Sequence, residues 1–118
     1  MAITLSVGGK TFTATLADTG AARAFTDLLP LTLEMSELNG NEKYCYLDES
    51  LPTAASVPDK IRTGDIMLYG ASCIVVFYKD FPTSYSYTVI GHIDDVTGLA
   101  DALGKGSVTI TFEENRTK

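Results

Sequence analysis

Gly64-Asp65-Ile66-Met67-Leu68-Tyr69-Gly70, then Cys73-Ile74-Val75-Val76-Phe77-Tyr78, then a tyrosine-rich loop, then Thr88-Val89-Ile90-Gly91-His92-Ile93: this order decides the fold. The first two runs are short, apolar and bounded by glycine, which predicts buried strands at 66–69 and 73–78. The second is continuously apolar, as a strand buried on both faces must be. Residues 79–87 form an aromatic loop, and 88–93 predict a third strand that carries a glycine.

Outward from this segment the chain alternates in strand fashion. Ile3, Leu5 and Val7 are interleaved with Thr4 and Ser6, and Phe12, Ala14 and Leu16 with threonines. Gly8-Gly9 between them tolerates the positive φ of a two-residue hairpin turn. Asp18 or Thr19 is placed to cap a helix with Ala21, Ala22, Phe25, Leu28 and Leu29 at helical spacing, stopped by Pro30. Leu31, Leu33 and Met35 alternate again, Asn39-Gly40 predicts a second hairpin turn, and 43–47 the returning strand. Residues 48–60 carry Pro52 and Pro58 and no periodicity, which predicts a long loop. Asp94 or Asp95 is expected to cap a short helix with Val96, Leu99, Ala100 and Leu103, ended by Gly104. Val108, Ile110 and Phe112 form the last strand. About eight strands and two helices predict a mainly β, closed or nearly closed antiparallel barrel with the helices capping its ends. Closure removes exposed strand edges.

The chain of 118 residues is the size of one domain, 1–118, without linker or repeat. Its formal charge of −6, with nine scattered Lys and Arg, argues against nucleic acid and against anionic membrane surfaces. No apolar run approaches the roughly 20 residues of a membrane span. The first residues alternate like a strand and lack a signal peptide's basic start, so a cytoplasmic protein is expected unless a leader was removed. Cys45 and Cys73 have no metal or redox spacing; buried thiols are expected, with a disulfide as the alternative.

The opening hairpin, the helix with Ala22-Arg23-Ala24-Phe25, the Gly64-Asp65-Ile66 turn, Val75-Val76-Phe77-Tyr78 and Ile90-Gly91-His92-Ile93 occur in an order that resembles the cyclophilin-like family. The resemblance is to its small bacterial cyclophilin-like domains and covers nearly the whole chain. It implies an antiparallel β-barrel with two helices. Cyclophilins isomerise prolyl bonds with an arginine that hydrogen-bonds the prolyl amide beside an apolar pocket. A cation there favours a pyramidal nitrogen and lowers a barrier of about 18–20 kcal/mol. The matching stretch here is Tyr44-Cys45-Tyr46-Leu47, without arginine. Of Arg23, Arg62 and Arg116, only Arg62 is placed to approach a groove; Arg23 is on the helix and Arg116 in the tail. The resemblance therefore implies a barrel without the isomerase arginine.

Tyr69, Tyr78, Phe81, Tyr85 and Tyr87 crowd around the 79–87 loop and suit an apolar, hydrogen-bonding pocket, although the plainer reading is strand ends and a covered barrel mouth. Met67 and Phe77, with Ile66 and Val75, match the proline pocket of the family or simply pack the core. His92, the only histidine, has no serine or cysteine partner placed by sequence and is expected on the outer or the helix-facing surface of its strand. Asp94-Asp95 lacks the pattern of a calcium loop, and Gly104-Lys105-Gly106 that of a phosphate loop. The expectation is a non-catalytic module that binds a short peptide or small apolar ligand in a groove of Arg62, Met67, Phe77, Tyr78, Tyr85 and Tyr87. It needs no metal and no cofactor. The alternatives are a weak prolyl isomerase using Arg62, and an accessory domain for a protein partner. Some relatives are encoded beside flavodoxin-like proteins, which implies a redox-associated partner for that last alternative. No oligomeric state follows from the sequence.

Overall fold

Burial at every second residue of 3–7 and 12–16 makes a hairpin of β1 (Ala2–Val7) and β2 (Lys10–Leu16), in the computed structural model that describes residues 1–115. Arg116 lies outside the described residues. Gly8 and Gly9 close the hairpin at φ 59° and 78°, the conformation that favours glycine. The first helix, α1 (Gly20–Thr26), is capped by Thr19, whose Oγ1 accepts the Ala22 N–H at 3.1 Å. It ends three residues before the expected Leu29. Leu28 and Leu29 donate instead to Phe25 and Thr26, a tighter turn that delivers the chain to Pro30.

Next come β3 (Leu31–Leu38), the Asn39-Gly40 turn and β4 (Glu42–Tyr46). After the irregular stretch 48–59 the chain forms β5 (Lys60–Ile61), β6 (Asp65–Tyr69), β7 (Cys73–Phe77), β8 (Phe81–Pro82) and β9 (Thr88–Ile93). The final elements are α2 (Leu99–Leu103) and β10 (Val108–Glu114). Neither Asp94 nor Asp95 caps α2, contrary to expectation. Asp94 accepts from the Thr15 hydroxyl at 2.7 Å, and Asp95 accepts the Thr97 N–H at 3.0 Å. Both carboxylates are used in the turn before the helix, and Gly98 at φ 78° starts it without a side-chain cap.

Eight strands close in the order β1-β10-β3-β4-β7-β6-β9-β2, every neighbour antiparallel. The short β5 and β8 pair separately, outside the barrel. The interior is filled by one apolar cluster that includes Ile3, Leu5, Ile66, Leu68, Ile74, Val76, Ile110 and Phe112. Both helices add to it, α1 through Phe25, edge-on to Phe112 at 5.5 Å, and α2 through Leu99 and Leu103. Gly91 is required by proximity: a Cβ there would sit 2.6 Å from the Thr15 carbonyl oxygen across the β2–β9 pair.

A second, smaller cluster lies on the outer face: Ile61, Met67, Cys73, Val75, Phe77 and Tyr87, with Tyr44 and Phe81 against it. This explains why β7 is buried at every position: Ile74 and Val76 face the barrel core, while Cys73, Val75 and Phe77 face the outer cluster. The same alternation keeps the cysteines apart. Cys45 packs on the inner cluster and Cys73 belongs to the outer one, and both are free thiols. Among the described residues no helix is long and apolar enough to cross a membrane.

Candidate functional site

The outer face of β4, β7 and β6 presents three cross-strand rows, because side chains of the same parity share a face. Tyr46 lies opposite Cys73 and Cys73 opposite Tyr69; Tyr44 opposite Val75 and Val75 opposite Met67; Glu42 opposite Phe77. Over this wall the chain folds back as β8 and residues 83–87. Asp80 anchors the return by accepting the backbone N–H and the hydroxyl of Thr63, at 2.7 and 2.8 Å. The Thr83 N–H donates to the Asp59 carbonyl at 3.1 Å.

The aromatic rings then meet edge to face or tilted, the arrangements their quadrupoles favour. Tyr69 lies 6.2 Å from Tyr85 and 5.7 Å from Tyr87, and Phe77 lies 5.7 Å from Phe81 and 5.5 Å from Tyr87. Between wall and return loop is a cavity of about 540 Å³, lined by Tyr44, Tyr46, Tyr69, Tyr85 and Tyr87 with Cys73, Val75, Phe81 and Glu42. Tyr46 and Tyr85 are exposed at its rim, whereas Tyr87 is buried. The long 48–59 loop contributes nothing to its lining. That loop runs beside β9, where Ser56 and Tyr87 exchange backbone hydrogen bonds of 3.0 and 2.9 Å. The cavity is therefore open.

Glu42 is the unusual member. It is 8% exposed, and among the described residues its carboxyl has neither a hydrogen-bond partner nor an ion-pair partner. Burial, and secondarily the charge of Glu37, push it up to about 7. Cys73, at the other end of the same wall, is pushed up to about 11, and Tyr87 to about 12, each chiefly by burial. Glu42 is not among the residues expected at the site, although the sequence carries a signal. Carrying the Tyr44, Tyr46 alternation back by one step puts Glu42 on the same face.

Its neighbour Lys43 points the opposite way and is fully satisfied. The buried Nζ donates to Glu37 at 2.8 Å and to the carbonyls of Gly104 and Gly106 at 2.8 and 2.6 Å. Tyr78 donates its hydroxyl to the same Glu37 oxygen at 2.6 Å, with the ammonium 5.4 Å from its ring centre. Burial works to raise Glu37, but the hydrogen bonds from Lys43, Tyr78 and the Gly40 N–H hold it below the usual carboxylate range.

The six residues expected in one groove are thus divided. Tyr85 and Tyr87 line the cavity, and Phe77 lies buried beneath it. Tyr78, one position further along, is turned by strand alternation toward Glu37 and the inner cluster. Met67 and Arg62 line a second, more open cavity of about 630 Å³ beside β9, with Leu16, Val89 and His92. The cause is the position of β6, which pairs with β7 on one edge and with β9 on the other. His92 is partly exposed on the outer surface, as expected, and has a partner the sequence did not indicate. Its Nδ1 lies 2.8 Å from Asp65 Oδ1, while Asp65 Oδ2 accepts the Arg62 N–H at 2.9 Å. No serine or cysteine lines that cavity, and the hydroxyl of Thr15, which does, donates to Asp94 rather than to His92. Among the described residues no group of three or more His, Cys, Asp or Glu side chains is gathered to hold a metal ion.

A model of the cyclophilin-like family matches residues 5–113. A search of curated proteins finds no match. Among solved structures, the chain is similar to a hypothetical protein from Archaeoglobus fulgidus determined in solution. The TM-score is 0.63 at 18% identity, over 98% of this chain and 95% of that one, a likeness of fold.

Proposed function

Because this chain belongs to the cyclophilin-like family, we propose that it is a non-catalytic binding module that takes a small ligand or a short peptide segment in the outer-face tyrosine cavity. The observation that carries this reading is the cavity itself: about 540 Å³, walled by five tyrosines, and open. Concave, mainly aromatic surfaces with a few polar groups are the usual form of ligand sites, and volumes of this order suit a small molecule or a few side chains. Tyrosine contributes apolar area and a hydroxyl at little entropic cost.

Prolyl isomerisation is a poorer fit. Among the described residues the lining includes no arginine, lysine or histidine, and Arg62 is on the other cavity. A cation aimed at the prolyl nitrogen has no source in the tyrosine cavity. The test is a heteronuclear NMR titration with short proline-containing peptides and aromatic fragments, with cis–trans exchange followed in parallel. Saturable shifts at Tyr69, Tyr85 and Tyr87 without accelerated exchange are expected. Accelerated exchange that Arg62→Ala abolishes refutes the non-catalytic assignment, and saturable shifts confined to the His92 side refute the choice of cavity.

A further inference from the structure

We infer that the ligand of the tyrosine cavity carries an alkylammonium group, and that Glu42 is its counter-ion. The inference rests on the cavity proposed above as the binding site and specifies what it selects. Three observations converge on it. Glu42 is more than nine-tenths buried, lines the cavity, and has no hydrogen-bond or ion-pair partner among the described residues. Among the described residues no side-chain oxygen is both buried and without a hydrogen bond, so the unpaired Glu42 carboxyl meets the solvent of the cavity and is available to a donor that enters it.

Among the described residues no cation pairs with it. Lys43, adjacent in sequence, is on the other side of the barrel wall and committed to Glu37, Gly104 and Gly106. Five tyrosines and Phe81 share the lining with the neutral polar residues Asn39, Asn41, Thr83 and Ser84. Tyr44, Tyr69 and Tyr87 present π-systems around the same space, and ring faces attract ammonium groups, more strongly once water is excluded. An anion would meet the opposite situation: a carboxyl, ring faces, no basic residue in the lining, and a chain of formal charge −6. Carboxylate and rings together select a cation with an apolar stem, as in a lysine side chain, a free peptide amine or a small aralkylamine.

The experiment is an NMR titration at pH 8.5 with 2-phenylethylammonium, 2-phenylethanol and 3-phenylpropanoate. These probes are similar in size and are cationic, neutral and anionic. The ammonium is expected to bind about tenfold or more tightly than the alcohol, the order of a charge-assisted hydrogen bond. In Glu42→Gln that preference falls to within about twofold while alcohol binding persists. Persistence of alcohol binding also shows that the variant is folded.

The titratable groups that line the cavity with Glu42 are Tyr44 and Tyr46 on its own strand, Cys73 on β7, Tyr69 on β6, and Tyr85 and Tyr87 from the return loop, while the charge of Glu37 on β3 acts on it from the opposite face. With Glu42 titrating at about 7, ammonium affinity in the wild type falls toward that of the alcohol from pH 8.5 to 5.5, about 8-fold for a tenfold preference, and in Glu42→Gln it does not. If all three probes bind the cavity equally and Glu42→Gln changes nothing, the cavity assignment stands and the cation assignment is refuted. Alcohol binding that strengthens below pH 7 also refutes it, by showing Glu42 acting as a neutral donor. If none of the probes shifts the cavity resonances, both assignments fall.

Discussion

Replacing Glu42 by glutamine is expected to stabilise the protein, and only where the carboxyl is ionised. An ordinary glutamate titrates near 4.5 and Glu42 near 7 in the folded chain. Below pH 4.5 folded and unfolded states both hold the proton, and the group imposes no penalty. Between 4.5 and 7 the folded state keeps a proton that the unfolded state has released, so stability falls as the pH rises. Above 7 the full penalty is present and constant. At about 1.4 kcal/mol per pH unit, moving a carboxyl from 4.5 to about 7 corresponds to about 3 kcal/mol. The buried amide of glutamine also lacks a partner, so the expected gain at pH 8 is about 1–3 kcal/mol. For a domain of this size about 1 kcal/mol moves the midpoint by about 4 °C, so the variant melts about 4–12 °C higher. The assay is thermal unfolding followed by circular dichroism at pH 8 and pH 4, with urea titrations at both. At pH 4 the two proteins should melt within about 1 °C of each other. A variant less stable than wild type at pH 8, or a gain of equal size at both pH values, refutes the reasoning.

Lys43→Met removes a buried ammonium from Glu37 and two backbone carbonyls and should cost about 3 kcal/mol or more in urea unfolding; a loss below about 1 kcal/mol means the network is not stabilising. Cys73, pushed up from 9.0 to about 11, holds about 100-fold less thiolate than an ordinary cysteine at pH 8. In a Cys45→Ser background iodoacetamide should therefore modify it about 100-fold more slowly in the native protein than in urea, and equal rates contradict its burial.

What the sequence made legible follows from which contacts are local. The opening hairpin and β9 (Thr88–Ile93) are as expected, since alternation and turn glycines act within a few residues. The barrel itself follows from the number and spacing of such strands. The tyrosine cavity is less local. Apolar periodicity marks Tyr69 and Tyr78 as similar strand-end residues, yet their parity sends one to the cavity rim and the other to Glu37. Glu42 heads a strand beside a lysine, a pair that reads as a solvated face. Its burial depends on Phe77 opposite and on the loop from Phe81 to Tyr87, which are more than 30 positions away. The small β5–β8 sheet is hidden for a related reason: two-residue strands carry no period to detect. The shortened α1 and the late start of α2 reflect hydrogen bonds that compete with helix ends, at Leu28–Leu29 and at Asp95.

The paired hydrogen bonds between Ser56 and Tyr87 give the protein a gauge on the far side of the wall proposed to take a ligand. Tyr87 presents its ring to the cavity and its backbone to the long loop, so the two share one mechanical joint. An occupant that steadies the ring is expected to lower the frequency with which that joint opens, so that the Ser56 amide, which touches nothing in the cavity, exchanges its hydrogen more slowly in a hydrogen-exchange measurement. Occupancy of the outer face thereby becomes visible in the irregular loop, the one long segment of the chain that no strand order accounts for.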